Sequence, residues 1–244
     1  MSRVPLPSWR ASRAPEVAKA ALLDGVRAFL PDDVVDRHFT PTYRPWRQRV
    51  ALVPDGDLFQ GIAAGKTSVV TGAIARFTDT GILLDSGQHL EADIVVTATG
   101  MNLNVMGDIE FVVDGKPLVF SDCVTYHGMM FTGVPNMVWI FGYLRSAWTL
   151  RVDLVADFLC SLLKHMQAKG YKQVSVVLRA EDEGMALSPF VDPEDFNPGY
   201  ILLRALHVLP QCGDKPEWRH SHDYEQDAAE LPAIDLEDTA FVYL

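Results

Sequence analysis

Apolar and polar positions change their period several times along the chain, and each change predicts an element. Residues 15–30, PEVAKAALLDGVRAFL, place Val17, Ala20, Ala21, Leu23 and Leu30 over much of one helical face. Pro15 suits the first turn and Glu16 complements the helix dipole, so this stretch predicts an amphipathic helix. The next run, 31–48, PDDVVDRHFTPTYRPWRQ, loses the period and carries three prolines. Its prolines argue against a continuous helix, and its large side chains predict an ordered, functional loop.

Strand-like runs follow. RVALV (49–53) precedes a short helical stretch, DGDLFQGIAAG, and then TSVV (67–70). GILLDSGQHLEADIVV predicts a hairpin with Ser86-Gly87 at its turn. It leads into ADIVVTATG (92–100), an almost unbroken apolar run of the kind covered on both faces in a parallel or mixed sheet. Beyond Gly100 lie short strand-like pieces, EFVV and PLVF, then a turn at GVPN (133–136) and a second buried strand, MVWIFGY (137–143). A long helix is predicted from about Ala147 to Lys169, with Val152, Val155, Leu159, Leu162 and Met166 at helical spacing and Gly170 as its stop. QVSVVL predicts a further strand, followed by an acidic, proline-bearing loop and a helical end. The alternation predicts an α/β fold with a mixed sheet.

Composition narrows the function classes. The 244 residues are 48% hydrophobic and 22% charged, as in ordinary globular domains, and the formal net charge is -11. Such an acidic chain repels phosphate backbones, which argues against nucleic acid as a partner. Three cysteines without C-x-x-C spacing predict neither a disulfide framework nor structural zinc, and suit a reducing cytoplasm. The opening MSRVPLPSWR has no apolar core of a signal peptide, and no apolar run is long enough for a transmembrane helix.

Candidate chemistry gathers at two strand ends. Ala98, Thr99 and Gly100 close the 93–100 run with small side chains, which either turn the strand or leave room for a ligand at its carboxyl end. Gly142, near the end of the second run, and Ser146 precede the long helix, whose first turn offers free N–H groups to an anion or simply joins strand to helix. Ser146 is a candidate cap. Arg44, Arg47 and Arg49 surround Trp46, as a solvated basic loop or as a source of one anion-binding guanidinium. His220-x-His222 is a weak metal signal beside a hydrophilic tail. G-x-S-x-G, Walker A and G-x-G-x-x-G patterns are all absent from the sequence.

Several ordered segments resemble one family. HFTPTYRPWRQRVALVPDGDLF (38–59), SVVTGAIARFTDTGILLDSGQHLEADIVVTATG (68–100), YHGMMFTGVPN (126–136), GYLRSAWTLRVDL (142–154), YILLRALHVLP (200–210) and EWRHSHDYEQD (217–227) together resemble flavin-containing monooxygenases, nearest the Baeyer–Villiger branch. The resemblance implies the C-terminal half of a two-domain, Rossmann-like flavoprotein that binds FAD and NADPH. It implies that 1–45 end a helical insertion, 46–100 close the NADPH domain, and 101–244 return to the FAD domain. Both glycine fingerprints of that family lie outside the resemblance, which implies a separate N-terminal half as partner, or else a truncated remnant or interaction module without cofactor.

The resemblance also implies residue roles. Arg49 matches the arginine that stabilises the anionic peroxyflavin and contacts NADP, as a permanent cation can in a low-dielectric site. Ala98, Thr99 and Gly100 match the strand end near NADP. Gly142, Ser146, Trp148 and Thr149 match the helix start that points at the flavin. Where the family carries Asn-Ala-Ser-Trp, this chain has Arg145-Ser146-Ala147-Trp148, so backbone contacts are expected there more than side-chain ones. The implied reaction inserts one atom of O2 into a ketone or heteroatom substrate, with the organic cofactor carrying the chemistry.

Overall fold

A computed structural model describes residues 14–203 and 205–244; residues 1–13, which include the opening MSRVPLPSWR, and Arg204 lie outside them. The chain divides into two compact units, Met1–Gly100 and Met101–Leu244.

In the first unit α1 (Pro15–Arg27) starts on its proline and carries Glu16 in the first turn, as the sequence predicts. Its inward residue, however, is Ala18, while Val17, Ala20 and Ala21 are exposed. The reason is the next element. Asp32–His38 form a second helix, α2, inside the stretch expected to be a loop. Pro31 occupies its N-cap position in an extended conformation, where its missing N–H costs nothing. Ala18, Leu30 and Val35 are buried between these helices, and Arg27 reaches Asp32 and Asp36 at 3.1 and 3.0 Å. A third helix, α3 (Asp57–Ala63), follows the Pro54–Gly56 turn, and Phe59 packs near Phe29 and edge-on to Phe39.

The predicted hairpin is present and gains a third strand. β1 (Ile74–Thr78), β2 (Gly81–Leu84) and β3 (His89–Glu91) form an antiparallel meander with Ile82 opposite both Phe77 and Leu90. Gly87 turns β2 into β3 at φ 83°, and its N–H bonds Leu84 O at 2.9 Å. Gly81 is required by close approach: a Cβ there would lie 1.9 Å from Leu90 O. The other strands expected in this unit are absent. Residues 49–53, 67–70 and 92–100 are extended or irregular, and no described strand pairs with them. Instead of being covered on both faces, Ile94 and Val96 are 83% and 84% exposed. Apolar patterning selects an extended backbone, but only a neighbouring strand turns that backbone into a sheet.

The second unit has the larger core. Short antiparallel pairs β4–β5 (Val112–Val113, Lys116–Pro117) and β6–β7 (Thr125–Tyr126, Met130–Phe131) lead to the Met137–Tyr143 run. That run is half-buried to buried but does not form the expected strand; its Trp139 N–H bonds Met129 O at 2.8 Å. The long helix is α4, Trp148–Lys169, and Arg151, Val155, Phe158, Leu162 and Met166 form its buried stripe. Val152 is exposed and Leu159 only half-buried, because the stripe begins one position earlier than expected. Gly170 ends α4 in the left-handed region at φ 77°, and the following Tyr171 N–H returns to Met166 O.

β8 (Val174–Val176) pairs antiparallel with β11 (Phe241–Tyr243), so the segment expected to be a helical end closes as a strand. Between them lie β9 (Ser188–Pro189), α5 (Gly199–Leu202), β10 (Gln211–Cys212) and α6 (Tyr224–Glu230). Asp223 caps α6 by accepting from Glu225 and Gln226 N–H. Parallel pairing is confined, among the described residues, to isolated bridges such as Val124–Gln211 and Thr132–Val176. Tyr126, Met130, Trp218 and Phe241 pack against α4, and burying each large apolar side chain contributes about 1.5–3 kcal/mol. No helix among the described residues is long and apolar enough to cross a membrane.

Candidate functional site

The Tyr143–Leu150 turn is built from close approach at Gly142. A Cβ there would lie 2.2 Å from Trp148 Cγ, so the indole of the first α4 residue occupies the space a side chain would take. Phe141 supports the same ring from 5.3 Å. Trp148 remains 45% exposed, and residues 146–150 are all exposed.

Ser146 does not cap the helix, contrary to expectation. The N-cap position belongs to Ala147, in an extended conformation, and no side chain accepts from the first turn. That turn also carries no acidic residue. Its N–H groups and the positive end of the dipole are therefore directed to the outside, beside Thr149. Arg145, just before the helix, holds Asp195 through Nη2 at 2.7 Å, while its buried Nε has no protein partner.

Beneath this surface turn lies a buried polar hub that sequence reading missed. Asp227 on α6 accepts from the Tyr143 hydroxyl at 2.7 Å, from the Ser221 hydroxyl at 2.6 Å, and from Arg151 Nη1. The other end of the Arg151 guanidinium donates to His127 O. Arg151 and Tyr143 are fully buried and Asp227 is 3% exposed. Burial, then the Asp227 carboxylate, push the Tyr143 phenol upward, so it stays a proton donor. One signal was available in the sequence: Arg151 falls on the same stripe as Val155, Phe158, Leu162 and Met166, and a charge on an apolar stripe calls for a buried partner.

His220 is buried and His222 half-buried against the same segment, and they do not flank a hydrophilic tail. Their rings stack at 4.1 Å. His220 Nε2–H donates to Phe141 O at 2.9 Å, and its Nδ1 accepts the His222 backbone N–H at 2.9 Å. A neutral ring satisfies both bonds. Burial lowers both pKa values, His220 well below its usual value and His222 to about 4. The stacked rings and their bonds to backbone make the pair a packing element.

A second polar cluster, around Arg179, is also structural. The guanidinium holds Asp182 at 2.6 Å, Asp238 at 3.2 Å and Glu217, and Lys215 holds the other side of Asp182. Burial alone would raise the Asp182 pKa, but these hydrogen bonds outweigh it and keep the carboxyl well below its usual range.

The remaining sequence candidates lie in the first unit. Arg49 is exposed, in the irregular stretch after the Trp46 turn, and makes a polar or electrostatic interaction of its own. Ala98, Thr99 and Gly100 are exposed at the end of the extended run. Gly100 sits at φ 101°, and a Cβ there would meet nothing within 4 Å.

No family model matches the chain. Curated relatives are nonetheless close. The FAD-containing monooxygenase EthA of Mycobacterium tuberculosis is 42% identical over 214 residues, covering 87% of this chain and 42% of that protein. EthA of Mycolicibacterium smegmatis is 40% identical over 215 residues, covering 88% and 42%. The chain thus spans somewhat under half the length of the curated relatives it matches. Among solved structures, an oxidized steroid monooxygenase bound to NADP superposes with a TM-score of 0.68 at 19% identity, covering 95% of this chain and 46% of that one. At that identity the likeness concerns the fold, which is that of part of a two-domain flavoprotein.

Proposed function

From the premise that this chain is homologous to FAD-containing monooxygenases over most of its length, we propose that it forms the C-terminal portion of an FAD- and NADPH-dependent monooxygenase of Baeyer–Villiger type. Its substrates in this reading are O2 and a small ketone or heteroatom compound. The observation that carries the reading is the sequence identity with EthA across the segment containing the open start of α4.

The residues present fit an electron-rich cofactor edge at that point. The first turn of α4 lacks both an acid and a side-chain cap, and Gly142 admits the Trp148 ring so that the turn can stay open. In this reading the backbone N–H groups of the Trp148–Thr149 turn hold the flavin edge, with Gly142 and Ser146 beside it. Fixed N–H donors and the helix dipole favour negative charge there without reorganising. A bound flavin, reduced by NADPH, supplies the activation of O2 and the transfer of one oxygen atom. Ala98, Thr99 and Gly100 provide a backbone surface free of bulky side chains for NADPH. Arg49 is the permanent cation that this reading assigns to the oxygenation step; its planar guanidinium offers a donor fork that a lysine lacks.

The test joins the chain to the N-terminal half of EthA, by fusion or co-expression. FAD retained after desalting, NADPH consumption dependent on substrate, and a product heavier by one oxygen atom are expected. In that protein Arg49→Ala should cut oxygenation by about a hundred- to a thousand-fold while NADPH still bleaches the flavin, and Arg49→Lys should recover little. A joined, folded protein that retains no FAD would instead favour a non-catalytic module. One that retains FAD and transfers oxygen equally well with Arg49→Ala would remove Arg49 from the reaction.

A further inference from the structure

The Asp227 hub lies behind the turn just assigned to the cofactor, and its donors come from both sides of that turn. Tyr143 follows Gly142 directly in the chain. Arg151 is one helical turn beyond Trp148, the residue whose ring fills the space above Gly142. One carboxylate oxygen, Oδ2, takes both Tyr143 and Arg151, while Oδ1 takes Ser221 from a separate loop. The strand-side and helix-side arms of the turn are thus held at a single atom. Tyr143 and Arg151 are fully buried, so neither reaches the exposed surface at residues 146–150.

We propose that Asp227 is a positioning residue: through Tyr143 and Arg151 it fixes the Gly142–Trp148 contact and holds the first turn of α4 open with its N–H groups outward. The alternative use of a buried carboxylate, as an acid or base, does not suit this geometry. Oδ2 already accepts a phenol and a guanidinium, and Oδ1 accepts the Ser221 hydroxyl. Charge-assisted bonds of this kind are about twice as strong as neutral ones and set direction as well as distance. The role of the turn toward a flavin rests on the function proposed above; the control of its conformation by Asp227 does not.

The two claims are separated by measuring them apart. Tyr143→Phe removes one donor from Oδ2 and leaves the Arg151 pair, so the fold should survive. Ser221→Ala removes one donor from Oδ1, the oxygen that takes neither Tyr143 nor Arg151, and serves as the matched control. In the full chain without cofactor, amide exchange over residues 151–155, the first helix-bonded amides of α4, should accelerate about ten- to a hundred-fold in Tyr143→Phe, as expected for losing a hydrogen bond to a charged group. In Ser221→Ala it should change less than three-fold over the same residues. Equal acceleration in both variants, or none in Tyr143→Phe, would overturn the positioning role. In the protein joined to the EthA N-terminal half, Tyr143→Phe should weaken FAD retention about ten-fold and shift the flavin visible spectrum, with Ser221→Ala unchanged. If exchange responds as expected but FAD retention and the spectrum do not, Asp227 still positions the turn and the flavin assignment is the claim that fails.

Discussion

The two units respond differently to similar apolar patterns. In Met101–Leu244 the long helix, the short strand pairs and the looping connections close around three groups of buried side chains, and charged residues enter the interior only with partners. In Met1–Gly100 the apolar side chains buried among the described residues are Ala18, Leu30, Val35 and Leu84. The run DIVVTAT is at least as β-branched as MVWIFGY, yet its Val96 is 84% exposed, whereas Phe141 in the other run is 4% exposed. Neither run joins a regular ladder. The second is covered by helix, loop and aromatic neighbours drawn from far along the chain, such as His220, 79 residues away, whose ring bonds Phe141 O. Coverage, more than local composition, separates the two.

The comparison is broken most severely by removing a partner inside the second unit. Arg151→Ala leaves Asp227 buried beside Tyr143 and Ser221 without its cation, and breaking a buried pair in this way costs about 3–5 kcal/mol. Urea denaturation should show that loss in the unit Met101–Leu244, while amide exchange in the β1–β3 meander stays near its original rate. Simultaneous loss of protection in both units would mean that they unfold together.

Acid should sharpen the same contrast. His220 and His222 have folded pKa values below the unfolded value of about 6.5, so the unfolded state binds their protons first. Stability from the neutral pair is complete above that value and is lost as the pH falls toward about 4, where His222 titrates in the fold. By pH 4.5 the His222 contribution alone should have dropped by about 2–3 kcal/mol, from roughly two units at 1.36 kcal/mol each. Neither described histidine of the first unit, His38 or His89, is buried. Denaturation curves at pH 7.5 and 4.5 should therefore diverge for the second unit, and His222→Gln should flatten part of the difference. An unchanged difference in His222→Gln would assign the acid sensitivity elsewhere.

The smallest expected effects come from one substitution made twice. Val155→Thr places a hydroxyl in the α4 core, where Val155 is 1% exposed, and should cost about 1–3 kcal/mol. Val96→Thr should stay within about 0.5 kcal/mol, because its side chain already faces water. The same Val96→Thr change, combined with Ile94→Thr, should reduce hydrophobic-dye binding and self-association by shrinking an exposed apolar strip. Equal stability losses at positions 96 and 155 would show that the 92–100 run is covered in solution.

Local sequence determined the elements whose stabilising information lies within a few residues. The Pro15 start of α1, the Gly87 hairpin turn and the Gly170 stop of α4 each follow from one residue's backbone preference acting on a nearby apolar pattern. The ordered motifs likewise carry the similarity to FAD-containing monooxygenases. Tertiary structure decided what those patterns could not carry. It converted DDVVDRH into a helix by docking it on α1, and it left VALV and DIVVTATG without the hydrogen-bonding neighbours that a strand requires. It also assembled the hub behind the α4 turn, since Asp227 is 84 residues from Tyr143 and 76 from Arg151. Periodicity reports which face of an element is apolar; the partner of a buried charge is chosen by chain packing over distances that no local pattern encodes.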